Sequence, residues 1–286
     1  MPAKVVALPL NASAQIPRRG RRKKLPVEWL PQQHGAWAML FLPFVVGAVL
    51  RVQEVGFRAF VVPLLLLWLV GYFAFHALSL WLKARNKARY VRPLQVYGGL
   101  TALLGSVVLL LEPSLLGWGA VYAPLLGVGL WQAWKKDESA LLGRFVTVLA
   151  ACLICAVTFS DGLASFWHGL RAADAGHLRA LAATAVLTGY FLGTVLYVKT
   201  MIRERGERQF WHLSVGFHAL LLGFAIWAAA LGGVGWPVPA FFALLTARAA
   251  ALPYFGPLRG QTMTPKQVGL TEFALSFGLL LLLGYK

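Results

Sequence analysis

The sequence predicts an all-α, polytopic membrane protein, because its composition and the lengths of its apolar runs both fit a chain surrounded by lipid. Of the 286 residues, 59% are hydrophobic and only 13% are charged, whereas soluble domains average about 25% charged residues. The apolar runs are roughly 17 to 25 residues long, which is the helix length that crosses about 30 Å of hydrocarbon. The segment Val61–Val70 is continuously apolar, without the alternation that a transmembrane strand requires.

Nine apolar runs, separated by clusters of charge, predict nine transmembrane helices in a bundle. The predicted spans are 34–51, 57–82, 94–111, 116–134, 144–160, 179–201, 211–231, 237–255 and 268–285. An odd number of spans puts the two termini on opposite sides of the membrane. Of the 27 Lys and Arg residues, all but Arg51, Arg58, Arg171, Arg179 and Lys286 fall on the side of the N-terminus. The positive-inside rule therefore predicts a cytoplasmic N-terminus and an external C-terminus.

The chain is predicted to have two parts, a basic and disordered cytoplasmic arm over residues 1–26 and a single membrane domain over residues 27–286. The arm contains a basic run from Arg18 to Lys24. Attraction to anionic lipid, worth about 1 kcal/mol per basic residue, explains this run better than nucleic-acid binding does. No small-residue cleavage site precedes Arg51, so the first apolar run is predicted to be an uncleaved helix rather than a signal peptide.

Three short patterns are predicted to serve structure rather than chemistry. Cys152 and Cys155 lie within an apolar run, where cysteine acts as a small hydrophobic residue. Gly189 and Gly193 form a Gly-x-x-x-Gly pattern, which allows close helix packing within one chain or between chains. The outer loop 161–178 is amphipathic and is predicted to form a short interfacial helix.

Polar residues that could carry chemistry concentrate at the predicted cytoplasmic ends of the spans. His76, Ser79 and Lys83 are three and four residues apart, so they share one face of the second helix. His34 and His76 are the candidates for catalytic proton transfer, because imidazole changes charge near neutral pH. The candidates for substrate binding are Gln33, Ser79, Lys83, Arg85, Arg92, Lys199, Arg203, Glu204, Arg205 and Glu272.

The two basic loops, after the second and the sixth span, would form a pocket for a phosphate, diphosphate or other anion if they meet. Arginine offers two parallel N–H groups to such an anion, and Glu204 would orient one of these arginines. The alternative interpretation is that the loops are positive-inside residues that bind lipid headgroups. No metal site is predicted and Mg²⁺ is doubtful, because Glu204 and Glu207 stand among cations and no carboxylate faces them from the 83–92 loop.

Three segments of the chain are distinctive: the run from Pro31 to Met39 with Pro43 following, the run from Val198 to Arg205, and the run from Pro265 to Gly269 before Glu272. In these segments the chain resembles the YwiC-like family of bacterial membrane proteins. The resemblance covers about residue 27 to the end. It implies a multi-pass protein of the bacterial plasma membrane and points to no particular activity.

A more distant resemblance is to the UbiA prenyltransferase superfamily, which has nine helices and functional loops after spans two and six. Arg92-Pro93-Leu94 matches the end of that superfamily's first motif. The superfamily's spacing places His76, Ser79 and Lys83 where three aspartates would stand. This resemblance implies an isoprenoid substrate with an anionic head, held without the carboxylates that bind Mg²⁺ in the superfamily.

Three functions are consistent with these patterns. The first is a prenyltransferase-like enzyme acting on a lipidic substrate whose anionic head docks between the loops. The second is a non-catalytic binder or transporter of a lipid or small molecule. The third is an assembly subunit that contacts partner proteins through its Gly-x-x-x-Gly face or its basic arm.

Overall fold

The computed structural model describes residues 29–31, 34–84, 87–136, 141–232, 234–258 and 263–285. Over these residues the chain forms α-helices, one 3-10 helix and no strands, which confirms the predicted all-α class. The helices are α1 (His34–Glu54), α2 (Val61–Lys83), α3 (Ala88–Leu111), the 3-10 helix (Pro113–Trp118), α4 (Gly119–Lys135), α5 (Leu141–Phe159), α6 (Leu163–Arg171), α7 (Ala175–Ile202), α8 (Arg208–Ala230), α9 (Pro237–Leu258) and α10 (Pro265–Gly284). The predicted arm, residues 1–26, lies outside the described residues.

Nine helical segments among the described residues are long and apolar enough to cross a membrane, at 18 to 28 residues each. They coincide with the nine predicted spans, and the largest shifts of a boundary are a few residues. One span is composite, because the 3-10 helix leads directly into α4 and the two together run over Pro113–Lys135. The protein is therefore a multi-pass membrane protein.

The centre of the bundle is formed by α1, α5 and α7, whose side chains make up most of the buried core. α1 and α5 approach closely because Gly47 has no side chain, and a β-carbon there would overlap the backbone of Cys155. Cys152 and Cys155 are fully buried free thiols. The prediction that these cysteines are core residues is confirmed.

The Gly-x-x-x-Gly pattern of α7 faces another helix of the same chain. A β-carbon at Gly189 would lie 2.9 Å from the Leu221 side chain, and one at Gly193 would lie 2.9 Å from Nε2 of His218. Both of these neighbours belong to α8. The close approach of α7 and α8 therefore depends on two glycines one turn apart.

The peripheral helices pack on opposite sides of this centre. α2 packs mainly against α3 and α4, whereas α8 packs mainly against α9 and α7, and α10 covers α1 and α7. The amphipathic loop forms α6, as predicted, and buries Phe166 against Trp118 and Phe159.

Contacts between the helix termini define two ends of the bundle. The end that carries Glu54, Leu111, Phe159 and Gly284 is called the outer end, and the end that carries Lys83, Lys135, Ile202 and Leu258 is called the inner end. These names follow the orientation predicted from the Lys and Arg distribution.

Candidate functional site

The predicted residues of the second span lie together on α2. His76 and Lys83 are half-buried, and Ser79 is buried with 7% of its surface exposed. Arg92 is exposed in the first turns of α3, the main neighbour of α2. Gln33 and Arg85 lie outside the described residues, and for His34 only the backbone, at the start of α1, is described.

The predicted residues at the end of α7 have partners that differ from the expected ones. Glu204 ion-pairs with Lys199 at 3.4 Å, rather than with the arginine that the sequence predicts. Arg205 donates from Nε to the Met201 carbonyl at 2.9 Å and from Nη2 to the Met263 carbonyl at 3.0 Å. Arg205 therefore fastens the end of α7 to the segment before α10, which is a structural role.

The basic residue that the structure brings to the α7 end is Arg144, in the first turn of α5. Arg144 is half-buried, its Nε has no hydrogen-bond partner among the described residues, and it lies within electrostatic range of Arg203. In the sequence Arg144 counts only as a positive-inside residue, although it stands at the very start of a predicted span. The packing of α5 on α7, which brings Arg144 towards the end of α7, is seen only in the structure.

A second polar cluster lies within the membrane-spanning segments, around Glu272. Its Oε1 accepts a hydrogen bond from Nη1 of Arg248, and its Oε2 accepts one from Thr194 at 3.0 Å. The Tyr190 hydroxyl donates to the Glu272 carbonyl at 3.1 Å and lies 3.0 Å from the Ser276 hydroxyl. Glu272, predicted to bind substrate, is thus the buried ion-pair partner of Arg248.

Arg248 connects this ion pair to α7 and α8. Its guanidinium lies 3.9 Å from the centre of the Tyr197 ring and within electrostatic range of His218. Nδ1 of His218 is 2.7 Å from the Ser214 carbonyl oxygen. Five buried polar atoms of the cluster have no hydrogen-bond partner in the described parts of the chain: Nε and Nη2 of Arg248, Nε2 of His218, and the hydroxyls of Tyr197 and Ser214.

We call this group the intramembrane cluster: Thr194, Tyr197, Ser214, His218, Arg248 and Glu272. In the sequence Arg248 counts with the cations of the inner surface, yet it lies ten residues before the end of α9. That distance corresponds to about 15 Å from the inner end of the helix. The prediction that polar residues concentrate at the cytoplasmic ends of the spans is therefore corrected, because this cluster lies deeper. The signal was an arginine inside the predicted 237–255 span.

The outer end holds a different network, which we call the outer clamp: Arg51, Glu54, Arg58, Glu112, Asp161 and Arg179. Arg51 donates to the Phe159 carbonyl and to Asp161, both at 2.6 Å. Arg58 pairs with Glu112 at 2.6 Å, and Arg179 pairs with Glu54 at 2.8 Å. No local pattern in the sequence predicts these pairs, because their members lie 54 to 125 positions apart.

Groups of three or more His, Cys, Asp or Glu side chains that could hold a metal ion do not occur among the described residues. The polar side chains at the inner end are mainly Lys and Arg, whereas the intramembrane cluster combines an arginine, a glutamate, a histidine and three hydroxyl groups.

Comparison with known proteins identifies relatives of similar length. Residues 30–159 match the family model described as YwiC-like protein. The chain is 35% identical over 212 residues to "Uncharacterized protein YwiC" of Bacillus subtilis, covering 74% of this chain and 81% of that protein. It is 28% identical over 247 residues to "Uncharacterized protein" of Haemophilus influenzae, covering 86% of this chain and 93% of that one. Solved structures give no match.

Proposed function

This chain belongs to the YwiC-like family, and from that premise we propose that it binds the anionic head of an amphiphile at the inner end of its helix bundle. The observation that carries the proposal is that Arg144 and Arg203 lie at the inner ends of two helices that pack against each other. The first lies in the opening turn of α5 and the second caps the end of α7.

Two guanidinium groups within electrostatic range repel each other, and neither has an ion-paired partner among the described residues. The repulsion is relieved when an anion lies between them. Arginine suits this task because its planar fork contacts two oxygen atoms of a phosphate or carboxylate at once.

The remaining cations of the inner end would attract the ligand and hold its outer oxygens. Lys199 lies one turn before Arg203 on α7. Lys83, Arg85 and Arg92 would contribute a positive field that raises the local concentration of anions. We propose that the inner end faces the cytoplasm of a bacterium and that the protein resides in the plasma membrane.

The finer proposal is that the amphiphile is an isoprenyl diphosphate, as the resemblance to the UbiA superfamily implies. Cations would then hold the diphosphate and stabilise the charge of the leaving group without Mg²⁺. The bond between C1 of the prenyl chain and the diphosphate would break, a nucleophilic acceptor, or water, would bond to C1, and His76, with His34, is the candidate to take the proton that this nucleophile loses. Release of inorganic diphosphate from farnesyl diphosphate would support an enzyme, and binding without release would support a lipid binder.

The test is the thermal unfolding of the detergent-purified protein with farnesyl diphosphate, in Mg²⁺ and then in chelator. A ligand at 100 times its Kd stabilises the folded state by about 2.7 kcal/mol, which raises the unfolding midpoint by several degrees. We expect this rise in both conditions, and we expect Arg144→Gln and Arg203→Gln each to abolish it.

The matched control is Arg171→Gln, which removes the same charge from α6 at the outer end and should retain the full rise. An unchanged midpoint with farnesyl diphosphate, with phosphatidylglycerol and with inorganic diphosphate would refute the proposal. An equal loss in Arg171→Gln would mean that the ligand responds to overall charge and not to this pair.

A further inference from the structure

We propose that the intramembrane cluster is a second ligand site, which binds the carboxylate of an amphiphile together with one proton. The site is separate from the Arg144 and Arg203 pair and uses side chains from α7, α8, α9 and α10. Its central residue is Arg248, which is buried with 9% of its surface exposed.

Only one of the three nitrogens of the Arg248 guanidinium has a hydrogen-bond partner in the described chain. Nη1 donates to Glu272, whereas Nε and Nη2 have no partner among the residues that the structure describes. The N–H groups of Nε and Nη2 point in parallel along one edge, which is the fork that binds two oxygens of one carboxylate. In the hydrocarbon region each unsatisfied polar group costs several kcal/mol, so this edge favours a ligand with two acceptor oxygens.

Two hydroxyls of the cluster are also buried and without a partner. Tyr197 is 1% exposed and carries Arg248 above its ring, while Ser214 is 0% exposed. Both hydroxyls lack a partner within the described part of the chain, and each could donate to a ligand oxygen. Gly193 leaves room for the His218 ring, because a β-carbon there would lie 2.9 Å from Nε2.

The charges of the cluster indicate why a proton accompanies the ligand. Arg248 and Glu272 neutralise each other, so an added carboxylate would leave one uncompensated negative charge at low dielectric. His218 holds Nδ1 against the Ser214 carbonyl at 2.7 Å, and a carbonyl only accepts hydrogen bonds. In the neutral ring Nδ1 therefore carries the proton, and Nε2 keeps the lone pair that can take up one more.

The other titratable groups of the cluster are Arg248 from α9, Tyr197 from α7 and Glu272 from α10. Both carboxylate oxygens of Glu272 already accept hydrogen bonds, from Arg248 and from Thr194, whereas Nε2 of His218 has no partner in the described chain, so we assign the proton to Nε2. One proton balances a monoanion, whereas a phosphate monoester approaches two negative charges at neutral pH. The site therefore favours a carboxylate. Its depth, about 15 Å from the inner end of α9, matches an acid that carries an apolar tail.

The experiment is isothermal titration calorimetry of decanoate into the full chain in lipid nanodiscs, in two buffers of different ionisation enthalpy. The expected result is saturable binding to one site with uptake of one proton per ligand. Arg248→Lys keeps the charge beside Glu272 but removes the fork, so we expect at least a tenfold loss of affinity. Tyr197→Phe keeps the ring beneath Arg248 and should weaken binding by a smaller factor.

Two controls keep the result specific. Tyr190→Phe removes a hydroxyl that already has partners and should leave the affinity for decanoate unchanged. Arg203→Gln should also bind decanoate normally, so that failure of this site and failure of the site at the inner end are distinguishable.

Three outcomes would overturn the inference. They are the absence of saturable binding, equal affinity in the original chain and in Arg248→Lys, and binding without proton uptake. Tighter binding of dodecyl phosphate than of decanoate would overturn the assignment to a carboxylate.

Discussion

The outer clamp and the intramembrane cluster are both built around buried arginines, and they differ in what those arginines contact. Arg51 uses Nη1 and Nη2 for partners on α5 and the residue just after it. Arg248 uses only Nη1, and its other two nitrogens have no partner in the described chain. Arg51 thus leaves one nitrogen, Nε, without a partner in the described chain, whereas Arg248 leaves two.

This difference separates structure from function on physical grounds. A buried charge with both terminal nitrogens bonded to other helices or their ends holds helices in register, as Arg51 and Arg179 do for the ends of α1, α5, α7 and α10. A buried charge with free donors is costly inside a membrane, and such residues line ligand or proton sites in membrane proteins. Substitutions in the two regions should therefore affect different properties.

The largest expected effect is that of Arg51→Ala. It removes a buried guanidinium from the Phe159 carbonyl and from Asp161, and a hydrogen bond to a charged group is worth about 1.5 to 3 kcal/mol. Chemical unfolding in mixed micelles measures the loss. Arg58→Ala is the comparison, since its side chain is 52% exposed and its loss should cost about 1 kcal/mol or less. Equal effects would show that burial does not determine the strength of the clamp.

Gly193→Ala should have the next largest effect, and it acts on the cluster. The new β-carbon would press on Nε2 of His218, and overpacking of this kind costs about 1 to 3 kcal/mol. Decanoate binding should also fall, because the imidazole must move. Gly216→Ala on α8 is the matched control, since its β-carbon would meet no atom within 4 Å. If both variants unfold alike, α7 and α8 do not approach as described.

A smaller effect distinguishes two tyrosines of α7. Tyr190→Phe removes a buried hydroxyl that is bonded to the Glu272 carbonyl and to Ser276, and should cost about 1 kcal/mol. Tyr197→Phe removes a hydroxyl without a partner in the described chain and should leave stability nearly unchanged. Unfolding midpoints of the two variants measure the difference. A larger loss for Tyr197→Phe would mean that its hydroxyl is already satisfied.

The smallest effect concerns pH and the start of α7. The hydrogen bond from His177 lowers the pKa of Asp174 below its ordinary value of 3.8. A carboxyl with a lowered pKa stabilises the folded state above its ordinary pKa, and this contribution is lost as the pH falls through the lowered pKa. The midpoint difference between the original chain and Asp174→Asn should therefore shrink as the pH falls below 4. A difference that grows below pH 4 would contradict this sign.

The sequence alone predicted the helices better than their partners. Span lengths depend on the local run of apolar residues, so α1 to α5 and α7 to α10 lie close to their predicted positions. Glu272 was recognised as a costly polar residue within a span, whereas Arg248 was counted with the surface cations. Pairing Arg248 with Glu272, or Arg51 with Asp161, requires tertiary contacts over 24 and 110 positions. No local pattern encodes them.

The most direct test of the difference between the two regions is a paired thermal-shift measurement on Arg51→Lys and Arg248→Lys, each with and without decanoate. Both variants keep the positive charge and lose the guanidinium fork. We predict that Arg51→Lys has a lower midpoint and retains the rise caused by decanoate, whereas Arg248→Lys has a nearly unchanged midpoint and loses that rise. The contradicting result is a decanoate response that survives in Arg248→Lys or disappears in Arg51→Lys.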